Sequence, residues 1–232
     1  MMDSLHRLRV EYGKDDRLAY LGHLEVIGTV QRSVRRAGLP FSIGNGFARR
    51  MRIQFSQALP VGASSACEYY DVYLEDRIDP DEALELLAAA TPPGLAPVRA
   101  AYVDPHQDAL EAWLTRATWD CVLVGQGLAP VAWTRATAAV RAKGSLRYLR
   151  GDKEKTVQLA STLVSADFSP SEEGLRLALE TRNTPEGSLR PGVLVEAARE
   201  LLGAEAGIMD TLRVRRVWQS HEETDGSLVE PL

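Results

Sequence analysis

Period-2 and period-3.6 apolar segments alternate in a set order through the first hundred residues, and that order constrains the fold more than any other feature. Leu8, Val10 and Tyr12 alternate with Arg7, Arg9 and Glu11, the pattern of a half-buried strand. Leu24, Ile27, Val30 and Val34 recur at helical spacing, and Gly38 with Pro40 stops that helix. Ile53 and Phe55 alternate with Arg52, Gln54 and Ser56; Tyr70, Val72 and Leu74 alternate with Tyr69, Asp71 and Tyr73. Asp79-Pro80-Asp81-Glu82 combines an N-cap carboxylate, proline at the first helical position and an acid three residues on. Ala83, Leu84 and Leu87 continue that helix to Pro92-Pro93-Gly94, and Val98, Ala100 and Tyr102 complete a last strand. Strand, helix, strand, strand, helix, strand is the βαββαβ order of a ferredoxin-like unit.

The second half repeats the order less clearly. Thr118–Val124 reads as a strand and Pro130–Lys143, stopped by Gly144, as a helix with Trp133, Ala136 or Thr137, and Val140 inward. Val157, Leu159 and Leu163 suggest a strand, Ser169-Pro170-Ser171 a turn, and Leu175, Leu177 and Leu179 a clearer strand. Pro191 opens a helix with Leu194, Ala197, Ala198 and Leu201 inward, closed by Gly203; Asp210–Trp218 is a last strand. The expected fold class is therefore α+β: two ferredoxin-like βαββαβ units from an internal duplication, at 1–104 and 113–219. Residues 219–232 are expected as a polar, frayed tail, so that 220–232 lies outside both units.

With 232 residues the chain has room for two such units. No run approaches the roughly 18 apolar residues of a membrane span. Met1-Met2-Asp3-Ser4-Leu5-His6-Arg7 lacks an apolar signal core, so a cytoplasmic protein is expected. Two distant cysteines, Cys67 and Cys121, exclude a disulfide framework, a Cys-only zinc site and a four-cysteine cluster. His6, His23, His106 and His221 are scattered, and neither a metal nor a cofactor is expected.

The net charge of −5 argues against bulk attraction to nucleic acid, but local charge says otherwise. From Val26 to Cys67 there is no Asp or Glu, and there are six arginines: Arg32, Arg35, Arg36, Arg49, Arg50 and Arg52. Cys121–Gly151 is also acid-free and carries Arg135, Arg141, Lys143, Arg147 and Arg150. Guanidinium forks suit phosphate oxygens. Gly44 and Gly46 let backbone approach a ligand, although Gly44-x-Gly46 is no nucleotide fingerprint. The candidate ligand residues are thus Arg35, Arg36, Gly44, Gly46, Arg49, Arg50 and Arg52. One sheet face would carry Arg7, Arg9, Arg52, Gln54, Tyr69, Tyr73 and Arg99, either open to stack bases or packed against the second unit.

Arg9-Val10-Glu11-Tyr12-Gly13-Lys14, Leu21-Gly22-His23-Leu24 and Arg35-Arg36-Ala37-Gly38-Leu39-Pro40 resemble the bacterial radical-SAM-associated (radical SAM-linked) family, a domain of unknown function. The resemblance continues through Gly46-Phe47, Arg52-Ile53-Gln54-Phe55, Ala58-Leu59-Pro60-Val61-Gly62, Ser65 and Glu68-Tyr69-Tyr70-Asp71-Val72. It implies an accessory role beside a radical SAM enzyme, in RNA modification or with another phosphate-bearing ligand. It implies no radical chemistry here, which needs three closely spaced thiolates. Relatives usually carry Gly-Phe-Asn-Pro-His-Pro where this chain has Gly46-Phe47-Ala48-Arg49-Arg50-Met51. The leading expectation is a non-enzymatic binding or adaptor module that presents RNA or another phosphate-bearing ligand to a partner enzyme. The alternatives are an enzyme using His23 as general acid or base beside the 44–52 loop, and a purely structural interaction domain.

Overall fold

In a computed structural model, residues 5–232 are described. The expectation drawn from Met1–Ser4 lies outside them. The chain divides into two units: one runs to Leu114 and takes in Val229–Leu232, the other is Thr115–Leu228.

In the first unit β1 (His6–Lys14) pairs antiparallel with both β3 (Ser64–Leu74) and β4 (Pro97–Val103), and β2 (Ile53–Phe55) pairs with β3. The spatial order is β2-β3-β1-β4. Helices α1 (His23–Arg36) and α2 (Pro80–Ala90) connect these strands in the expected sequence. Each has a cap, and for α2 it is the one the sequence predicts. Asp79 accepts from the backbone N–H of Asp81 at 3.0 Å and of Glu82 at 3.3 Å, with Pro80 next. Glu25 reaches back to the Gly22 N–H at 2.8 Å. Leu8, Val10, Tyr70 and Val72 form the core with Val26, Val30, Val34 and Leu87.

Two expected core residues are outside. Leu24 is exposed because the buried stripe of α1 runs Val26–Val30–Val34, a different phase of the same helix. Val98 is exposed because the ladder slips between Glu11↔Arg99 and Tyr12↔Pro97, and the bulge takes Val98 out of the alternation.

The other sheet face is not open. Arg7, Arg9, Asp71 and Tyr69 are all buried. Arg9 grips the Asp71 carboxylate with two bonds, Nε to Oδ1 at 2.8 Å and Nη2 to Oδ2 at 3.0 Å; Arg7 Nε adds a third to Oδ2 at 2.7 Å. Other guanidinium hydrogens go to the backbone carbonyls of Gln107, Asp108 and Pro231 and to the Gln54 and Gln107 side chains. Trp113 lies on the Arg9 guanidinium, 4.9 Å from ring centroid to Cζ, within the short helix α3 (Leu110–Trp113). Residues 107–113 and 231 of the same unit therefore cap this face and remove it as a base-stacking platform. Residues 219–232 are correspondingly not a frayed tail: Pro231, Gln219 and Ser220 are buried.

In the second unit β5 (Arg116–Gln126) is followed by α4 (Pro130–Ala142), the hairpin β6 (Ser145–Arg150) and β7 (Lys153–Gln158), and the short α5 (Leu159–Thr162). Then come β8 (Leu163–Ser171), β9 (Gly174–Thr184), β10 (Gly187–Ser188), α6 (Pro191–Leu202) and β11 (Ile208–Glu222). β5 pairs antiparallel with β9 and β11, and β8 pairs with β9, so the order is β8-β9-β5-β11. Val157, Leu159 and Leu163 do not share a strand; they are buried residues of β7, α5 and β8 in turn, with Thr162 also buried in α5. Ser169-Pro170-Ser171 belongs to β8, where the missing proline N–H is tolerated because β8 lies at the end of this order. Leu201 is exposed, and α6 buries Leu194, Val195, Ala198 and Leu202 instead. Arg116 and Arg182 converge on Glu222: Arg182 Nε donates at 2.5 Å and Arg116 Nη1 lies at 3.0 Å, while Arg116 also meets Glu180.

Removing Asp71 strands two buried guanidinium ions. Asp71→Ala is expected to lower unfolding free energy by about 3–5 kcal/mol. Arg99→Ala, which loses a half-exposed partner of Glu11, is expected to cost no more than about 1 kcal/mol by the same denaturant titration. The bond from Arg182, opposed by burial but joined by the Arg116 bond and the charges of both arginines, holds the Glu222 carboxyl down at about 2, below its ordinary 4.5. The native state thus binds fewer protons, and this stabilisation is present above pH 4.5 and lost as pH falls toward 2. Glu222→Gln is expected to flatten that part of the acid-denaturation curve.

Candidate functional site

The arginine-rich stretch is a turn of main chain held at its base and bare at its tip. Gly38, at φ 70°, ends α1 in the left-handed conformation that glycine adopts without penalty. Ser42 then donates its N–H to Tyr73 O at 2.7 Å, Arg52 to Ser42 O at 2.9 Å, and Gly44 to Arg50 O at 2.8 Å, with an antiparallel bridge between Ile43 and Met51. Buried Leu39, Ser42 and Met51 anchor the base. At the tip Arg49 has φ 40°, a conformation rare for a side-chain-bearing residue, and its N–H bonds Gly46 O at 3.0 Å. Phe47 is fully exposed, at 108% of its reference area.

Arg36, Arg49, Arg50 and Arg52 are exposed and, among the described residues, make no ion pair. Arg35 lies 5.9 Å from the Phe41 ring, which brings the end of α1 to the start of the loop. Arg35 and Arg36 also stand in the last turn of α1, where a cation complements the helix dipole. The two candidate glycines serve the turn itself: the Gly44 N–H and the Gly46 carbonyl are both used within it. Phe47 carries the signal that charge counting passes over, an aromatic residue with a glycine on one side and arginines on the other.

His23 is elsewhere. It opens α1, half-buried, with its ring edge-on to Phe55 at 6.1 Å. It lines a small cavity with Tyr12, Lys14, Val26, Leu59 and Glu68, and no residue of the 44–52 loop lines that cavity. Lys14 Nζ donates to the carbonyls of Ala19 and Leu21 at 2.9 Å each, and the Ser56 hydroxyl donates to Glu68 at 3.0 Å. Arg35 sits twelve residues along the same helix, about 18 Å away at 1.5 Å per residue. The pairing of His23 with a phosphate-holding loop, on which the enzyme alternative depends, is therefore not assembled in this cavity. Burial lowers the His23 pKa below its ordinary 6.5; Glu111 and Glu68 pull it up and Lys14 pushes it down.

Among the described residues no group of three or more His, Cys, Asp or Glu is placed to hold a metal ion. Both cysteines are buried, and burial pushes the Cys121 thiol up to about 12, far from a reactive thiolate. Among the described residues no helix is long and apolar enough to cross a membrane.

A family model described as an uncharacterized protein conserved in bacteria (DUF2344) matches residues 7–191. The chain belongs to that family. The DUF2344 match takes in the arginine loop, the His23 cavity and the β6–β7 hairpin, and reaches the first residue of α6. It supports the bacterial domain of unknown function that the N-terminal residues suggest. None of the curated proteins matches the chain. Among solved structures, a Cbf5-Nop10-Gar1 complex is similar at a TM-score of 0.49 and 10% identity, over 93% of this chain and 50% of that one. The chain thus spans half the length of that structure. An unknown protein from Galdieria sulphuraria is similar at a TM-score of 0.26 and 11% identity, over 93% of this chain and 100% of that one.

The His23 imidazole is expected to titrate below 6.5 by NMR. Because the folded state favours the neutral ring, the associated stability holds above pH 6.5 and is lost as pH falls through the folded midpoint. His23→Asn is expected to abolish that slope.

Proposed function

We propose that this DUF2344 protein is a non-enzymatic accessory module that holds single-stranded RNA on the Phe47 loop and presents it to a partner enzyme. The observation that carries the reading is the bare tip itself: a fully exposed aromatic ring beside Arg49, Arg50 and Arg52, none of them ion-paired among the described residues. Aromatic rings offer a π-face to any base, and guanidinium forks suit the phosphates between bases. The base of the loop is pinned by main-chain bonds, so the tip is presented by a fixed support and little ordering is needed on binding. A radical SAM enzyme is the partner we infer, on the resemblance of the ordered residues from Arg9 to Val72. We also infer that the chain arose by duplication of a ferredoxin-like unit. What supports this is the shared neighbour order, β2-β3-β1-β4 in one unit and β8-β9-β5-β11 in the other, with the β6–β7 hairpin inserted in the second.

The test is retention of a single-stranded oligoribonucleotide across a salt series, with pull-down of the radical SAM partner assayed on the same sample. Phe47→Ala is expected to cost about 1–3 kcal/mol of binding. Arg49→Ala with Arg50→Ala is expected to reduce the salt slope by about 0.7 for each phosphate that is no longer neutralised. Unchanged retention in both variants, or none in the parent at low salt, removes RNA from the reading. Partner capture without RNA favours a purely structural interaction domain.

A further inference from the structure

The inserted hairpin of the second unit builds a different surface from the same chemistry. In the β6–β7 ladder Leu146 pairs with Val157, Tyr148 with Lys155 and Arg150 with Lys153. Side chains alternate across a strand, so these three pairs share one face, while Arg147, Leu149, Glu154 and Thr156 occupy the other. Leu146 and Val157 are buried, which turns the shared face toward the body of the unit. Moving outward along it, the aliphatic pair gives way to Tyr148 and Lys155, then to Arg150 and Lys153, closed by a turn at Gly151 and Asp152.

Arg190 is brought to this hairpin by β10, which packs against β7 just before it. It precedes α6, half-buried, and lies close enough to Arg150 and Tyr148 for its charge to act on both. Burial first, and then the Arg150 charge, push the Arg190 guanidinium below its ordinary value, with Tyr148 pulling the other way. Among the described residues neither arginine, nor Lys153 nor Lys155, has a carboxylate in an ion pair; Asp152 and Glu154 make none with them. The first turn of α6 has no acid either. Folding thus holds two guanidinium groups in mutual repulsion, one of them partly desolvated, with no internal anion to offset them.

We propose that Tyr148, Arg150, Lys153, Lys155 and Arg190 form a phosphate-binding site on the second unit. The two guanidinium groups supply planar forks for phosphate oxygens, the lysines add mobile ammonium charges, and the Tyr148 hydroxyl adds a donor. The α6 N-terminus contributes the positive end of its dipole on the same side as Arg190. The site is separate from the Phe47 loop and takes the phosphate itself, whether free or in a nucleic-acid backbone.

The test uses the full chain with inorganic pyrophosphate and, separately, a single-stranded oligoribonucleotide. By calorimetry, Arg150→Gln and Arg190→Gln are each expected to weaken pyrophosphate binding about tenfold or more. Arg147→Gln, on the opposite face of the hairpin, should change it less than about twofold. Pyrophosphate should raise the Tm of the parent and not of the double variant. Without ligand at low salt, Arg190→Gln should be at least as stable as the parent, because it removes a repulsion; this also shows that the variant folds. If pyrophosphate competes with the oligonucleotide and both need Arg150 and Arg190, the natural ligand is a backbone phosphate. If only pyrophosphate binding responds, it is a free phosphate compound. Phe47→Ala should leave pyrophosphate binding intact, so failure of the RNA loop and failure of this site are distinguishable. The proposal is overturned if the parent shows no saturable pyrophosphate binding, or if Arg147→Gln weakens it as much as Arg190→Gln.

Discussion

The Asp71 carboxylate, held between Arg7 and Arg9 with no exposure of any of the three side chains, organises the first unit. One anion cannot neutralise two cations. The excess charge is met by carbonyl oxygens at Gln107, Asp108 and Pro231, groups far from β1 in sequence. Burying these ions in a dry layer demands that every donor find an acceptor. The chain satisfies that demand by bringing residues 107–113 and its last residues onto the sheet. Trp113, Leu110 and Leu114 then add apolar cover beside Tyr69 and Cys67. A single-layer sheet with helices on one side thereby acquires a second closed face.

That closure moves the candidate chemistry to the periphery. Arginines on β1 look like phosphate ligands in an alternating strand, yet here they are internal counter-ions. Among the described residues, the cations that make no ion pair include Arg49, Arg50 and Arg52 around the bare Phe47 ring, and Arg150 with Arg190 beside the β6–β7 hairpin. Both places are held by main-chain ladders at their base, so charged tips are displayed without loss of local order. The net charge of −5 is compatible with this, because no acid lies in Val26–Cys67 or Cys121–Gly151, the stretches that hold Arg49, Arg50, Arg52 and Arg150.

Much of the fold was legible because its signals are local. The Asp79-Pro80 start of α2, the Gly38 stop of α1 and the alternation of β1, β3 and β9 each follow from backbone geometry within a few residues. The errors arise where a distant partner decides. Leu24 and Ile27 fit helical spacing as well as Val26 and Val30 do, and only packing on Leu8 and Val10 selects the phase. Val98 alternates correctly until a bulge in the ladder with β1 displaces it. Val157, Leu159 and Leu163 mimic one strand while serving three elements, each of which buries one of them. Among the candidate ligand residues, Arg35, Arg36, Arg49, Arg50 and Arg52 are exposed as a solvent-facing site requires, whereas His23 opens the same helix that Arg35 and Arg36 close.

The amino-acid sequence by itself determined the main strands and helices of the first unit and their order, the segments of β5, α4, β9 and α6 in the second, and the acid-free character of two stretches. These are properties of neighbours a few bonds apart. The tertiary structure alone decided which arginines are spent and which remain available. The Arg9–Asp71 ion pair joins groups 62 residues apart in sequence. Their identity as partners depends on strand register and on what covers the face, and neither is encoded in the spacing of either residue.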